Sequence, residues 1–429
     1  MKRNLIYLAA LSALALTACS QDEAVNEIHP VAENSIGFRT NLDRSTVTRA
    51  GNEITTANIS SFTVAALNED NSIYFHKLQV AKEGTAEPYK WTYSPPQVWP
   101  RHGLQFFGIS DSPSNSLQEK PTGSAFPKIM GFQPHKGYMW DGKSVLPTNT
   151  HTHHDLLGAY YAGTETHGSV EMNFQHLLSQ IEVQAINTNT ANRTVEVIGV
   201  RIMNLVGGGD FDFGVTQYAL GENGAAVKGL PAAAAWTPNS VKADYFFRYP
   251  DYKTNGNQDF TPTTLTENPQ NLAPGGHNFM VIPQTTTAWN KDTNYDGTYI
   301  SVACRVRTVS QGPQGTVETT IYPPKDHEDA YKIEVGNDVR YYAMAMVPVA
   351  FNLERGKKYT YILDFSNGSG LIDPNNPDNP QSPDIDPNPG DKGDEIEGTP
   401  IDFTVTVSDW KTPEGWNGSL DMDKANGTN

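Results

Sequence analysis

The stretch IDFTVTVSDW, residues 401–410, decides how the fold of this chain is predicted. Apolar and polar side chains alternate along it, which is the period of two expected of a β-strand with one buried face. Four apolar residues share one side of this strand: Ile401, Phe403, Val405 and Val407. Burying these four side chains would contribute about 6–12 kcal/mol, as an upper bound before entropy is counted. Residues 401–410 are therefore predicted to be a strand that needs a sheet to pair with.

The residues before this strand, 371–398, have an unusual composition, and we call them the acidic segment. They include six prolines, eight acidic residues and a single lysine, with few apolar side chains. Such a composition cannot offset the entropy of ordering, so we predict a tether with an r.m.s. span of roughly 30 Å. Two interpretations remain open for the strand. It pairs with a sheet of another subunit, or it returns to its own domain after a long loop.

The composition of the whole chain favours strands over helices. Of its 429 residues only 18% are charged, while Gly, Pro and aromatic residues are plentiful. This length allows two domains with separate cores. The net charge of -17 argues against nucleic acid as a partner. Only two cysteines are present, Cys19 and Cys304, and Cys304 lies on the apolar face of a predicted strand, so we expect an inert core thiol.

The N-terminus has the pattern of an export signal. Lys2 and Arg3 precede an apolar run from Leu5 to Leu16, which is too short to span a bilayer as a helix. The run ends in LTAC, residues 16–19, which resembles the lipobox of bacterial lipoproteins. This resemblance implies that Cys19 is acylated and becomes the new N-terminus. Residues 20–23, SQDE, look like the mark for surface display in Bacteroidetes lipoproteins.

A short predicted strand and an exposed loop follow the lipobox. Ile36, Phe38 and Leu42 lie on one face of a strand over residues 36–42. Residues 46–52 are polar and small, as in a loop that a protease can enter, and we predict cleavage between Arg49 and Ala50. Arg39 and Arg44 are the substitute sites.

The order of these features resembles the fimbrillin family, the shaft and accessory pilins of type V pili in Bacteroidales. The features are the lipobox, the short first strand, the Thr48-Arg49-Ala50 junction and the alternating last strand that ends in Trp410. Stretches between the two ends also look like family motifs: residues 98–100 (VWP), 155–160 (DLLGAY), 174–183 (FQHLLSQIEV) and 279–284 (FMVIPQ).

From the residues we predict an all-β fold of two tandem β-sandwich domains with a tethered C-terminal strand. The resemblance implies that the sandwiches are transthyretin-like. The boundary between the two domains is predicted near His167. The predicted organisation is a signal peptide and lipobox at 1–19, a propeptide with the first strand at 20–49, sandwiches at 50–167 and 168–370, the acidic segment at 371–398, and the last strand with its tail at 399–429.

The resemblance implies a pilus subunit, structural or adhesive, and not an enzyme. It implies a lipoprotein precursor at the outer membrane, an Arg-specific protease, and polymerisation with other pilin subunits by strand exchange. Ile401, Phe403, Val405 and Val407 would be the donor side chains. A ligand on a host or bacterial surface is a further expected partner.

The alternative function is a surface lipoprotein that never polymerises. It would bind glycans or other host ligands on exposed tryptophans such as Trp140 or Trp289. Pairing of strand 401–410 within its own domain would favour this alternative.

Motifs for catalysis or metal binding are weak. His151, His153 and His154 lie close together beside Asp155, but they sit among loop-forming residues. Residues 292–297, DTNYDG, match half of a calcium loop, yet Ala303 stands where the bidentate glutamate belongs, so a hairpin turn is the commoner meaning. Neither a nucleophile elbow nor a HExxH motif is present. We therefore expect no metal and no cofactor.

Overall fold

The computed structural model describes residues 34–41, 54, 58–84, 90–110, 117–119, 123–134, 153–247, 262–273, 277–324, 331–335, 338–374 and 392–410. Over these residues the fold is all-β, as the sequence predicts, with short 3-10 turns at Glu165–His167 and Glu222–Gly224. No helix in this part of the chain is long and apolar enough to cross a bilayer.

The strands are numbered in chain order. The first thirteen are β1 (Phe38–Asn41), β2 (Ser61–Asn68), β3 (Ile73–Glu83), β4 (Lys90–Thr92), β5 (Leu104–Ser110), β6 (Leu117–Gln118), β7 (Lys128–Phe132), β8 (Leu157–Gly163), β9 (Val170–Asn173), β10 (Gln175–His176), β11 (Ser179–Ile186), β12 (Arg193–Val206) and β13 (Gly209–Asp212). The others are β14 (Val227–Lys228), β15 (Ala235–Pro238), β16 (Lys242–Phe247), β17 (Thr263–Thr264), β18 (Gln270–Asn271), β19 (Phe279–Val281), β20 (Tyr299–Gly312), β21 (Gly315–Tyr322), β22 (Tyr331–Val335), β23 (Asp338–Pro348), β24 (Lys357–Asp364), β25 (Leu371–Ile372) and β26 (Asp402–Asp409).

A seven-stranded sheet forms the centre of the first half. Its order is β10-β8-β5-β2-β3-β4, with β14 beside β8. One face packs on the two-stranded sheet β1-β9 through a first core that includes Phe38, Phe62 and Phe106. The other face packs on the sheet β15-β13-β7-β6 through a second core that includes Phe107 and Phe211. Because both faces of the sheet are covered, all seven residues of β5 are buried, and its sequence lacks the alternation of apolar and polar residues.

Two further sheets form the second half and share a third core. One has the order β18-β11-β24-β26, with β19 beside β11, and the other has the order β16-β12-β20-β23-β22, with β17, β21 and β25 beside it. Leu363 of β24 and Val302 of β20 meet in this core, together with Cys304. Burial raises the pKa of the Cys304 thiol to about 12, so the thiol is inert, as predicted.

The pairing of strands does not change at His167, where the sequence predicts a domain boundary. β9 and β10 follow this residue but pair with β1 and β8, strands of the first half. β13 also returns to the first half and pairs with β7. The first change from one set of sheets to the other falls between His176 and Ser179, because Ser179 begins β11, and the chain returns to the first set for β13, β14 and β15.

Candidate functional site

The last strand, β26, lies at the edge of its sheet. It pairs antiparallel with β24 over its whole length, from Asp402 opposite Asp364 to Asp409 opposite Lys357. In this register Phe403, Val405 and Val407 stand opposite Leu363, Tyr361 and Tyr359. The strand predicted from the alternating sequence is therefore present, and it pairs within its own chain.

Within the single chain the apolar face of this strand is not buried, contrary to the prediction. Phe403, Val405 and Val407 are 39%, 48% and 52% exposed, while Ile401 is only 4% exposed. Their neighbours on β24 are covered by the third core, in which Tyr359, Tyr361 and Leu363 are buried. β26 is one strand further out, and nothing in the described chain covers its apolar side chains to the same extent. An apolar strand at an open edge is the feature that natural sheets usually avoid.

The two ends of β26 are buried although the strand between them is not. Ile401 belongs to the third core and Trp410 to the second. The Trp410 indole stacks on the His176 ring with a centroid distance of 4.0 Å and an interplanar angle of 10°. His176 Nδ1 donates to the buried Asp155 carboxylate at 2.9 Å from Oδ2, which fixes the plane of the imidazole. The strand is thus held by its backbone ladder and by its flanks.

The acidic segment is attached to the body at both ends, which corrects its prediction as a free tether from residue 371 to residue 398. At the first end, Leu371–Ile372 forms β25 and pairs with β23. Asp373 is fully buried and accepts hydrogen bonds from Arg201 Nη2 at 2.6 Å, from the Tyr299 hydroxyl at 3.0 Å and from Ser301.

At the second end, Glu397 forms an ion pair with Arg193, with 2.7 Å between Oε2 and Nη2. The ends also meet each other, because the Gly393 amide donates to the Ile372 carbonyl at 2.9 Å. The prediction failed because it used only the composition of the segment itself. In the structure, arginines of β12 pair with carboxylates of the segment, and these arginines are distant in sequence.

The first strand occupies a site of its own in the first half. β1 pairs parallel with β9, with Phe38 opposite Val170. Ile36 and Phe38 are 1% and 7% exposed. The Phe38 ring makes edge contacts with Phe62, Tyr93 and Phe106, with centroid distances of 6.0, 5.4 and 6.1 Å. Residues before β1 are held as well, because the Ile36 amide donates to the Gln97 carbonyl at 2.8 Å.

Several predicted features lie outside the described residues. They are the signal peptide and lipobox with Cys19, Leu42, the cleavage site at Arg49 and Ala50, Trp140, His151, residues 375–391 of the acidic segment and the tail after Trp410. These remain predictions.

The other candidate tryptophan is not an exposed platform. Trp289 is 4% exposed, and Gly393 of the acidic segment lies directly against its ring. A Cβ on Gly393 would lie 2.3 Å from Trp289 Cη2, and the φ of Gly393 is +79°, which favours glycine. The glycine lets the backbone of the acidic segment cover the indole.

Replacing Gly393 by alanine is expected to lower the free energy of unfolding by about 2–3 kcal/mol, because left-handed strain and overpacking against Trp289 add. Gly84→Ala is the matched control, since Gly84 has a φ of +88° and no atom within 4 Å of its Cβ position. The control is expected to cost about 1 kcal/mol. Chemical denaturation of the two variants measures the difference, and equal losses would contradict the contact.

The weaker chemical motifs have structural roles. His153 is buried, and its ring lies 5.4 Å from that of Phe279. In the loop predicted as a turn, Asn290 accepts hydrogen bonds from the amides of Asp292 and Thr293. Within the described residues, no three His, Cys, Asp or Glu side chains are grouped so that they could hold a metal ion.

Sequence reasoning missed two features of this site: the Asp155–His176 pair beneath Trp410, and the arginines that hold the acidic segment, Arg193 and Arg201. Arg201 carries a recognisable signal, because it stands between Val200 and Ile202 in a buried apolar run. A buried charge in such a run requires a partner. Its partner, Asp373, is 172 positions away in sequence, and no local pattern identifies it.

Comparison with known proteins gives the family. A crystallised fimbrial protein from Bacteroides vulgatus is 13% identical, with 88% of this chain and 99% of that chain covered and a TM-score of 0.45. The C-terminally truncated tip fimbrial protein Mfa3 from Porphyromonas gingivalis is 9% identical, with coverages of 82% and 94% and a TM-score of 0.29. No curated protein sequence matches significantly. A family model described as fimbrillin-like matches residues 48–410. Since this match spans most of the chain, the protein belongs to the fimbrillin-like family.

Proposed function

We propose that this protein is a structural or adhesive pilus subunit and not an enzyme. It is exported as a lipoprotein acylated at Cys19, cut after Arg49 by an Arg-specific protease, and assembled with other pilin subunits by β-strand exchange. It reaches the outer membrane through its lipid and acts at the cell surface, where it also contacts a host or bacterial ligand. Membership of the fimbrillin-like family supports this proposal.

The observation that carries the proposal is the exposure of Phe403, Val405 and Val407 on a fully paired strand. A strand exchange gives up the β24–β26 ladder of eight residue pairs and gains a ladder on β9, where β1 forms four pairs. It also buries side chains that are half exposed before the exchange. For these three side chains the gain in burial is about 2–4 kcal/mol, taking roughly half of the value for full burial.

The acceptor would be the site of the first strand. Loss of the residues up to Arg49 removes Ile36 and Phe38, which fill the first core. Their removal would leave apolar side chains and the edge of β9 without a partner. Such a site is unfavourable in water, and a strand from another subunit would fill it.

A second candidate, a surface lipoprotein that does not polymerise, is favoured by one observation. β26 pairs with β24 of its own chain. In this candidate the chain keeps its last strand throughout its life and binds a ligand as a single unit.

Replacing Arg49 by alanine tests the proposal. We expect the variant to keep its N-terminal segment and to migrate as a single unit without boiling, whereas the unaltered protein begins at Ala50 and forms a ladder of oligomers. Mass spectrometry of the surface-extracted protein gives the N-terminus. Arg39→Ala and Arg44→Ala are the controls and are expected to change neither result. Oligomers of the Arg49→Ala variant with unchanged N-termini would overturn the cleavage step, and a monomeric unaltered protein would favour the second candidate.

A further inference from the structure

The first and last strands share one spacing of apolar residues. Residues 36–40 read IGFRT and residues 401–405 read IDFTV, so both place an isoleucine two positions before a phenylalanine. Phe38 lies in β1 and Phe403 lies in β26, but Phe38 is 7% exposed and Phe403 is 39% exposed. The buried ring belongs to the segment that the proposed cleavage removes.

We propose that the last strand of one subunit enters the first-strand site of a second copy of this chain in one register, with Ile401 in the place of Ile36 and Phe403 in the place of Phe38. This inference rests on the proposed function, which names the acceptor, and adds the register in which the strand binds there. The inserted strand runs parallel to β9, as β1 does.

The aromatic contacts of the site select this register. Phe62, Tyr93 and Phe106 surround the Phe38 ring in edge contacts, and all three remain after residues 34–49 are removed. An aromatic ring is therefore the side chain that restores these contacts. Ile401 restores the aliphatic side chain of Ile36, which is 1% exposed.

The remaining positions are compatible with this register. Thr40 is half-buried, and Val405, which has nearly the same shape, takes its place. Arg39 is exposed, and Thr404 takes its place. Asp402 takes the place of Gly37, where a Cβ would lie 3.2 Å from Ser169 Oγ. That hydroxyl can rotate and donate to the Asp402 carboxylate.

Other registers fit less well. A shift of one residue turns Asp402 and Thr404 toward the first core, where polar side chains would be buried without partners. A shift of two residues puts Val405 in the place of Phe38 and leaves a cavity among the three aromatic rings. The reversed strand direction puts Ile401 in the half-buried place of Thr40 and Val405 in the place of Ile36.

Disulfide trapping between two chains tests the register. In the proposed register Thr404 stands opposite Glu171, because Arg39 pairs with Glu171. Full chains that carry Thr404→Cys are mixed with full chains that carry Glu171→Cys, cut with an Arg-specific protease, oxidised and run on non-reducing gels. The background is low because Cys304 is fully buried and Cys19 lies in the removed segment.

Two control mixtures report the competing arrangements. Thr404→Cys with Ser169→Cys reports the shift of two residues described above, because Thr404 would then take the place of Gly37, one position before the Phe38–Val170 pair. Asp402→Cys with Glu171→Cys reports the reversed direction. We expect the first mixture to give at least ten times more cross-linked dimer than either control.

If oligomers form and a control mixture gives the stronger cross-link, the register is wrong while the proposed function stands. If the cut protein forms no oligomers at all, the proposed function fails and this inference fails with it.

Discussion

Replacing Arg201 by methionine is expected to lower the free energy of unfolding by about 3–5 kcal/mol, because it leaves a buried carboxylate without its ion-pair partner. The carboxylate belongs to Asp373, whose side chain is 0% exposed, and the Arg201 side chain is 8% exposed. Tyr299 and Ser301 would still donate to it, but both are neutral. Chemical denaturation followed by tryptophan fluorescence measures the loss.

Lys291 offers a matched control on the same segment. It pairs with Asp394 at 3.1 Å, but the two side chains are 54% and 45% exposed. Water screens this pair, so Lys291→Met is expected to cost less than about 1 kcal/mol. A double variant, Arg201→Met with Asp373→Asn, removes both buried charges and is expected to recover part of the stability. Equal losses for Arg201→Met and Lys291→Met would show that the buried pair does not hold the acidic segment.

The acidic segment also shows where sequence reasoning stops. Its prolines and carboxylates predict disorder, because composition reports how much apolar surface a segment can bury by itself. The structure nevertheless buries Asp373 completely and joins Glu397 to Arg193, which is 204 positions away. Both arginine partners, Arg193 and Arg201, lie on β12, and the sequence of the acidic segment contains no information about where β12 lies.

The last strand shows the same limit in another form. Its alternating pattern predicts a strand, and β26 is present at Asp402–Asp409. The pattern cannot say whether its apolar face is covered, because that depends on where the facing sheet ends. Ile401 and Trp410, at the two ends of the strand, are buried. The sequence pattern does not distinguish them from the exposed apolar residues between them. Exposure of the donor face therefore came from the structure alone.

The first strand was easier to predict because its partners lie in the core. Ile36 and Phe38 were expected on one face, and both are buried. The observed strand is shorter than predicted, Phe38–Asn41 instead of residues 36–42, and Leu42 lies outside the described residues. Its parallel pairing with β9 joins residues more than 130 positions apart, and periodicity contains no information about that pairing.

Replacing Phe403 by aspartate is expected to reduce assembly of the cut protein at least tenfold and to lower the free energy of unfolding of the uncut monomer by only about 1–2 kcal/mol. In the monomer Phe403 is 39% exposed and its ring lies 6.2 Å from that of Tyr361, so the change loses part of the burial of the ring but leaves the new carboxylate in contact with water. In the proposed acceptor it would be buried among Phe62, Tyr93 and Phe106 without a partner, and such burial costs several kcal/mol. Thr404→Asp is the matched control, because Thr404 is also exposed and faces the other side of the strand. Oligomer ladders without boiling measure assembly, and thermal unfolding measures the monomer.

Phe38→Ala is expected to give the opposite pair of results. In the uncut chain it removes a ring that is 7% exposed, and the first core loses about 3–5 kcal/mol. After cleavage that ring is gone in any case, so assembly is expected to be unchanged. The two phenylalanines thus occupy the same site at different times: Phe38 stabilises the uncut chain, and Phe403 stabilises the assembled protein. If Phe403→Asp destabilised the uncut monomer as much as Phe38→Ala does and left assembly unchanged, the two rings would be independent parts of one monomer and the exchange of strands would be refuted.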